Sequence, residues 1–158
     1  MPTAFVTGGS GFVGGALIER LRREGWDVRA LARSDRAADR VRGLGAEPVM
    51  GDLDDLQIAD CEFAFHAAAK VEDFGDPADF ERVNVQGTRN FARLLLAASA
   101  RPHMVYVSTA YTQTHDWDYR NGYEESKAMA ERSLREGFGT RLPISTFSCS
   151  LVVGDSRT

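Results

Sequence analysis

The 158-residue chain holds only two cysteines and five prolines, and no run of apolar residues approaches the roughly twenty needed to span a bilayer. Each scarcity excludes something. Cys61 and Cys149 stand alone in apolar segments, which predicts buried free thiols instead of a disulfide framework. His66, His103 and His115 show no ligand spacing with them, so no metal centre is expected. Nor is there a block of basic residues: 19 Lys and Arg face 23 Asp and Glu, giving a net charge of −4 and a pI near 5.4. A nucleic-acid partner is thereby disfavoured. The opening Met-Pro-Thr-Ala-Phe-Val enters a strand with no basic leader, so a cytoplasmic location and no membrane association are expected. Repeats, low-complexity tracts and shifts of composition are also missing, and residues 1–158 are read as one domain.

What the chain does have is alternation. Thr3–Thr7 is a short apolar run stopped by glycine; Val13, Ala16, Leu17 and Leu21 come next at helical spacing until Gly25. Residues 27–32 read as a second strand, 37–44 as a short helix, 47–50 as a third strand and Phe63–His66 as a fourth. A long helix over 77–100 carries Phe80, Val83, Gly87, Phe91, Leu94 and Leu95 on one face. Strands at 104–107 and 143–149 flank a polar-aromatic loop, 112–121, and a helix over 122–136. Nearly continuous apolar strands between helices predict an α/β fold: a doubly wound parallel sheet of about six strands, of the Rossmann type, with helices on both faces.

The most informative segment is Thr7-Gly8-Gly9-Ser10-Gly11-Phe12-Val13-Gly14, between the first strand and the first helix. Glycines at 8, 11 and 14 permit a tight turn, a close approach of pyrophosphate to the main chain and close packing of helix on strand. The free N–H groups of the new helix face the phosphates. This predicts a dinucleotide cradle formed by Gly8, Gly11, Phe12, Val13 and Gly14.

A second constellation is Tyr123-Glu-Glu-Ser-Lys127, which sets a phenol and an ammonium one helical turn apart on one face. An unperturbed tyrosine is a poor proton donor at neutral pH, but a neighbouring cation favours the phenolate and brings it closer to working range. Val107-Ser108-Thr109 places hydroxyls at the carboxyl edge of the sheet, where open α/β folds bind ligands.

In these segments the chain resembles the short-chain dehydrogenase/reductase superfamily, and within it the extended, epimerase/dehydratase-like group marked by Thr-Gly-x-x-Gly-x-x-Gly. Gly51-Asp52-Leu53, His66-Ala67-Ala68-Ala69, Asn84-Val-Gln-Gly87-Thr88 and Val107-Ser108-Thr109-Ala110 match in order, and the resemblance covers essentially the whole chain. It implies Tyr123 as general acid and Lys127 as the residue that binds the nicotinamide ribose and lowers the tyrosine pKa. It also implies Thr109, in preference to Ser108, as the hydroxyl that orients a substrate carbonyl, with Asn84 near the proton relay. Asp52 and Leu53 are expected against adenine, and Ala67, Ala68, Ala69 and Val107 along the cofactor. The implied chemistry is hydride transfer to a carbonyl, with the cofactor supplying the difficult step.

NAD sites of this type usually end the second strand with an acid that binds the ribose 2′-hydroxyl. Here Ala32-Arg33-Ser34 stands instead, and Arg33 can grip a 2′-phosphate with Ser34 adding a hydrogen bond, so NADP(H) is favoured over NAD(H). The alternative left open is that Asp35 takes the ribose. Extended members continue into a substrate-closing C-terminal region; these residues stop at Thr158, and a homodimer or a part of a longer chain is expected. Val107-Ser-Thr-Ala-Tyr111 and the last residues are similar to NADPH-dependent acyl-thioester and fatty acyl reductases. Many relatives carry Arg-Pro where Ser148-Cys149 stands, so substrate contacts do not carry over there. His115, Trp117 and Tyr119 are expected to pack, or to meet substrate. The leading expectation is a carbonyl or acyl-thioester reductase. A sugar-nucleotide epimerase or dehydratase, and an NADP-binding module without turnover, are the alternatives.

Overall fold

The computed structural model describes residues 1–54, 56, 58–113, 119–150 and 152–154. Its elements run β1 (Thr3–Thr7), α1 (Phe12–Arg23), β2 (Asp27–Ala32), α2 (Asp35–Gly43), β3 (Glu47–Met50), β4 (Phe63–His66), α3 (Pro77–Phe80), a π-helical turn (Glu81–Gln86), α4 (Gly87–Ala97), β5 (His103–Thr109), a 3-10 turn (Ala110–Gln113), α5 (Gly122–Phe138) and β6 (Ile144–Cys149). All pairings are parallel and the strand order is β3-β2-β1-β4-β5-β6. This is the doubly wound Rossmann sheet that the alternation of strands and helices predicts.

Period-two alternation in β1 divides the core. Ala4 and Val6 pack with Ile18 and Leu21 of α1 and Val41 of α2, while Phe5 between them joins Phe91 and Leu95 of α4 and Leu134 and Phe138 of α5. Helices therefore cover both faces. Past β4 the cover on the α1 side thins: Phe63 and Phe65 are half-buried, and Phe147 on β6 is 63% exposed. Because the order reverses at β1, the loops after β1 and β4 diverge to opposite faces and leave a crevice at their carboxyl ends, the usual ligand position in this architecture.

One predicted element is not regular. The long helix is interrupted by the π turn Glu81–Gln86 and ends at Ala97. The residue added to that turn rotates the remainder of the helix, so that Asn84, Thr88 and Phe91 are buried while Val83 and Leu94 are only half-buried. Polar contacts run through the turn: the Asn84 carbonyl oxygen accepts the Thr88 hydroxyl at 2.6 Å, and the Asn84 amide is taken up by Lys70 and Ser126. A hydrophobic pattern registers none of this.

Candidate active site

Gly8 has φ +71, and a Cβ there would lie 2.6 Å from the Ala67 carbonyl carbon and from the Ala68 nitrogen. Glycine is required because the cradle turn is pressed against the backbone leaving β4. At Gly14 a Cβ would run into the Gly8 carbonyl oxygen, so α1 can begin directly beneath the turn. The turn closes with Gly11 N–H on Gly8 O at 3.0 Å. The first turn of α1 has neither a side-chain cap nor an acidic residue, and its last turn carries Arg20, Arg22 and Arg23. Its N-terminal N–H groups and the positive end of its dipole are left for an anion. These residues fit a dinucleotide pyrophosphate.

The predicted contacts with the rest of such a ligand stand around the same edge. Ala67, Ala68 and Ala69 are half-buried where the chain leaves β4. Arg33, exposed just beyond β2, forms no ion pair among the described residues, and the Ser34 hydroxyl oxygen caps α2 by accepting Ala37 N–H at 3.2 Å. Asp52 is exposed after β3 and accepts the Leu53 N–H at 2.7 Å, while Leu53 packs on the core cluster beneath α4.

On the other side of the crevice, α5 begins with a firm lock. Asn121 Oδ1 accepts the Glu124 N–H at 3.0 Å, and the buried Glu124 carboxylate accepts the Arg120 backbone N–H at 3.0 Å and the Arg120 Nε–H at 2.8 Å. Tyr123 sits inside that cap. One turn later Lys127, 2% exposed, donates from Nζ to the Val107 carbonyl at 2.6 Å, with its ammonium 4.1 Å from the Tyr106 ring centroid. Burial pushes Lys127 down to about 7, while Glu131 and Cys149 pull it upward.

Two expectations are corrected here. The Tyr123 phenol is not lowered by Lys127; burial raises it, with Cys149 and Glu124 adding to the effect. The lysine charge is turned to the Val107 carbonyl and is itself disfavoured by burial, so it gives the phenolate little support. Cys149, expected to be buried, is half-buried; it is free, on an edge strand, in register with Thr109. Cys61 is buried and free as expected, its thiol raised to about 11 chiefly by burial.

The two hydroxyls at the end of β5 separate clearly. Ser108 donates its hydroxyl to Glu131 on α5, and the Thr112 hydroxyl donates to the same carboxylate oxygen at 3.0 Å. Thr109, on the opposite side of the strand, accepts the Tyr111 N–H at 3.4 Å, and its hydroxyl hydrogen has no acceptor among the described residues. Asn84 lies against α5, donating to Ser126 Oγ at 2.9 Å, and Ser126 donates to the Tyr123 carbonyl at 2.8 Å. Sequence reasoning missed Ser126, Glu131 and Glu124. The Asn-x-x-Glu spacing of residues 121–124 is a signal for the last; nothing local marks the other two. His115 and Trp117 lie outside the described residues, and Tyr119 is half-buried. A cleft of about 620 Å³ lies beside Phe74, Phe80, Asn121, Glu125 and Met129, but none of Gly8, Thr109, Tyr123 or Lys127 lines it.

A glycine cradle at the switch point of a six-stranded parallel sheet, with Tyr123 and Lys127 on the helix that follows β5, defines a Rossmann domain of the NAD(P)-binding class. Residues 4–157 match the model of the NAD dependent epimerase/dehydratase family, and the chain belongs to that family. Among curated relatives, the 4-hydroxy-2-methyl-3-oxo-4-farnesyl-3,4-dihydroquinoline-1-oxide ketoreductase of Stigmatella aurantiaca is 38% identical over 154 residues, covering 85% of this chain and 46% of its own. The 2-alkyl-3-oxoalkanoate reductase of Stenotrophomonas maltophilia is 32% identical over 153 residues, covering 82% and 44%. The chain thus spans less than half the length of both. Among solved structures, an epimerase-like chain from Burkholderia cenocepacia J2315 superposes with a TM-score of 0.84 at 26% identity, over 99% of this chain and 56% of that one.

Proposed function

We propose that this domain is the cofactor-binding and catalytic half of an NADP(H)-dependent reductase acting on a small-molecule ketone, aldehyde or acyl thioester. The reading rests on one observation: Thr109 at the end of β5, and Tyr123 and Lys127 one turn apart on α5, border the same sheet edge as the glycine cradle. The Stigmatella and Stenotrophomonas reductases act, by their names, on oxo compounds, which supports the carbonyl class.

In this reading Gly8, Gly11, Phe12, Val13 and Gly14 hold the pyrophosphate, and Ala67, Ala68, Ala69 and Val107 flank the dinucleotide. Asp52 and Leu53 meet adenine. Arg33 holds the 2′-phosphate, helped by the Ser34 hydroxyl hydrogen, which its capping role leaves available. The bound nicotinamide supplies the hydride. Thr109 donates a hydrogen bond to the carbonyl oxygen and orients it. Tyr123 gives its proton to that oxygen as charge builds there; a phenol raised by burial is held protonated, as a donor must be. Lys127 holds the nicotinamide ribose, and Asn84 fixes the turn that faces α5.

The test is Tyr123→Phe, assayed by NADPH oxidation against a panel of ketones, aldehydes and acyl thioesters. Turnover should fall by roughly 10²–10⁴-fold while NADPH affinity changes less than about twofold. Retained turnover contradicts the assignment.

A further inference from the structure

The buried core beside the site contains a hydrogen-bond chain whose direction can be read without seeing a hydrogen. Thr88 Oγ1 lies 2.6 Å from the Asn84 carbonyl oxygen, which can only accept, so the Thr88 hydroxyl hydrogen is committed there. At its contact 3.0 Å from His66 Nε2, Thr88 must therefore accept, and Nε2 carries the proton. His66 is neutral, since burial and the Lys127 charge push it down to about 3. Nδ1 is then bare and accepts the Thr7 hydroxyl at 2.7 Å, and Thr7 Oγ1 faces the Ala68 N–H at 3.3 Å. The imidazole plane is set by stacking on Phe91 at 5.0 Å and on Tyr106 at 5.9 Å.

One end of this chain is the cofactor cradle: Thr7 precedes Gly8, and Ala68 belongs to the backbone pressed against it. The other end is the π turn. There Asn84 Nδ2 donates to the Lys70 carbonyl at 3.1 Å and to Ser126 Oγ at 2.9 Å, its Oδ1 accepts the Lys70 N–H at 2.7 Å, and Ser126 donates to the Tyr123 carbonyl at 2.8 Å. Each hydroxyl between Ala68 and Tyr123 donates once and accepts once.

We propose that His66 is a positioning residue, fixed as the Nε2–H tautomer between Thr7 and Thr88, which ties the cradle to the Asn84 turn and sets where α5 presents Tyr123. The inference rests on the reductase reading for its catalytic meaning, and on the hydrogen-bond geometry and the burial of His66 for its physical content. His66 touches neither cofactor nor substrate; it acts through Thr88 and Asn84. Thr88 is the link to cut, because valine has the shape of threonine without its hydroxyl, and serine keeps the hydroxyl.

The experiment uses the chain with ¹⁵N-labelled histidine and backbone. Wild type should give a pyridine-type signal at His66 Nδ1 and a pyrrole-type signal at Nε2. In Thr88→Val the single tautomer should be lost, the Lys70 amide should exchange about tenfold faster as Asn84 loosens, and the Tyr123 ring signals should move. Thr88→Ser should restore all three. A wild-type His66 protonated at Nδ1, or a folded Thr88→Val with Lys70 exchange unchanged, overturns the proposal; so does Thr88→Ser behaving like Thr88→Val. If Thr88→Val does not fold, the wild-type tautomer and the serine variant still decide. None of these readouts needs bound nucleotide or turnover, so failure of the reductase reading, seen as no NADPH binding, is separately detectable.

Discussion

Lys127 donates its Nζ hydrogen to the Val107 carbonyl oxygen across 2.6 Å, from a side chain that is almost wholly buried. The contact takes one of the three Nζ hydrogens to the strand and holds the ammonium in the protein with little hydration. The protein should show this as a pH dependence. Lys127 is lowered from an ordinary 10.5 to about 7, so between those values the unfolded chain binds a proton that the folded chain does not. Stability then rises with pH, by about 1–2 kcal/mol from pH 7 to about 8.5. Beyond pH 9 the raised Cys61 thiol works the other way. Urea midpoints across that window should climb in wild type and stay flat in Lys127→Met; a flat wild-type profile contradicts the burial account.

Two glycine-to-alanine changes should have opposite signs. Gly8→Ala places a Cβ against the Ala67 and Ala68 backbone at a φ of +71, and should cost about 3 kcal/mol and abolish nucleotide binding. Gly43, in the last position of α2, has nothing within 4 Å of a built Cβ. Gly43→Ala should stabilise by about 0.5–1 kcal/mol with binding unchanged. Chemical denaturation and calorimetry check both.

The adjacent hydroxyls of β5 should part in function. Ser108 is bound to Glu131, so Ser108→Ala should cost about 1–2 kcal/mol of stability and leave turnover within about threefold. Thr109→Val should leave stability within about 1 kcal/mol, because the fold loses only the long contact of Oγ1 with the Tyr111 N–H, and should lower kcat through loss of the hydroxyl proposed to meet substrate. The reverse pattern would exchange their roles.

The sheet was legible because its strands are nearly continuous apolar runs punctuated by glycine; β1, β2, β3 and β4 fall at the predicted residues, and β5, β6 and α5 differ only at their ends. The cradle was legible because a strand-glycine-helix junction leaves few ways to turn. The π turn was not, since the polar contacts Asn84 makes in it, with Lys70 and Ser126, join residues 14 and 42 positions apart. The state of Lys127 was not legible either. Spacing puts it on the face of Tyr123, but only the packed fold directs its ammonium to a strand carbonyl and raises the phenol it was expected to lower.

The central claim, that the glycine cradle and Arg33 form an NADP(H) site, is tested most directly by calorimetric titration of the chain with NADPH and with NADH in one buffer. The predicted result is a preference for NADPH of at least tenfold, about 1.4 kcal/mol. Arg33→Ala should reduce that preference by weakening NADPH by about 1.5–3 kcal/mol while leaving NADH unchanged. Equal affinity for both nucleotides, or a preference for NADH, would contradict it.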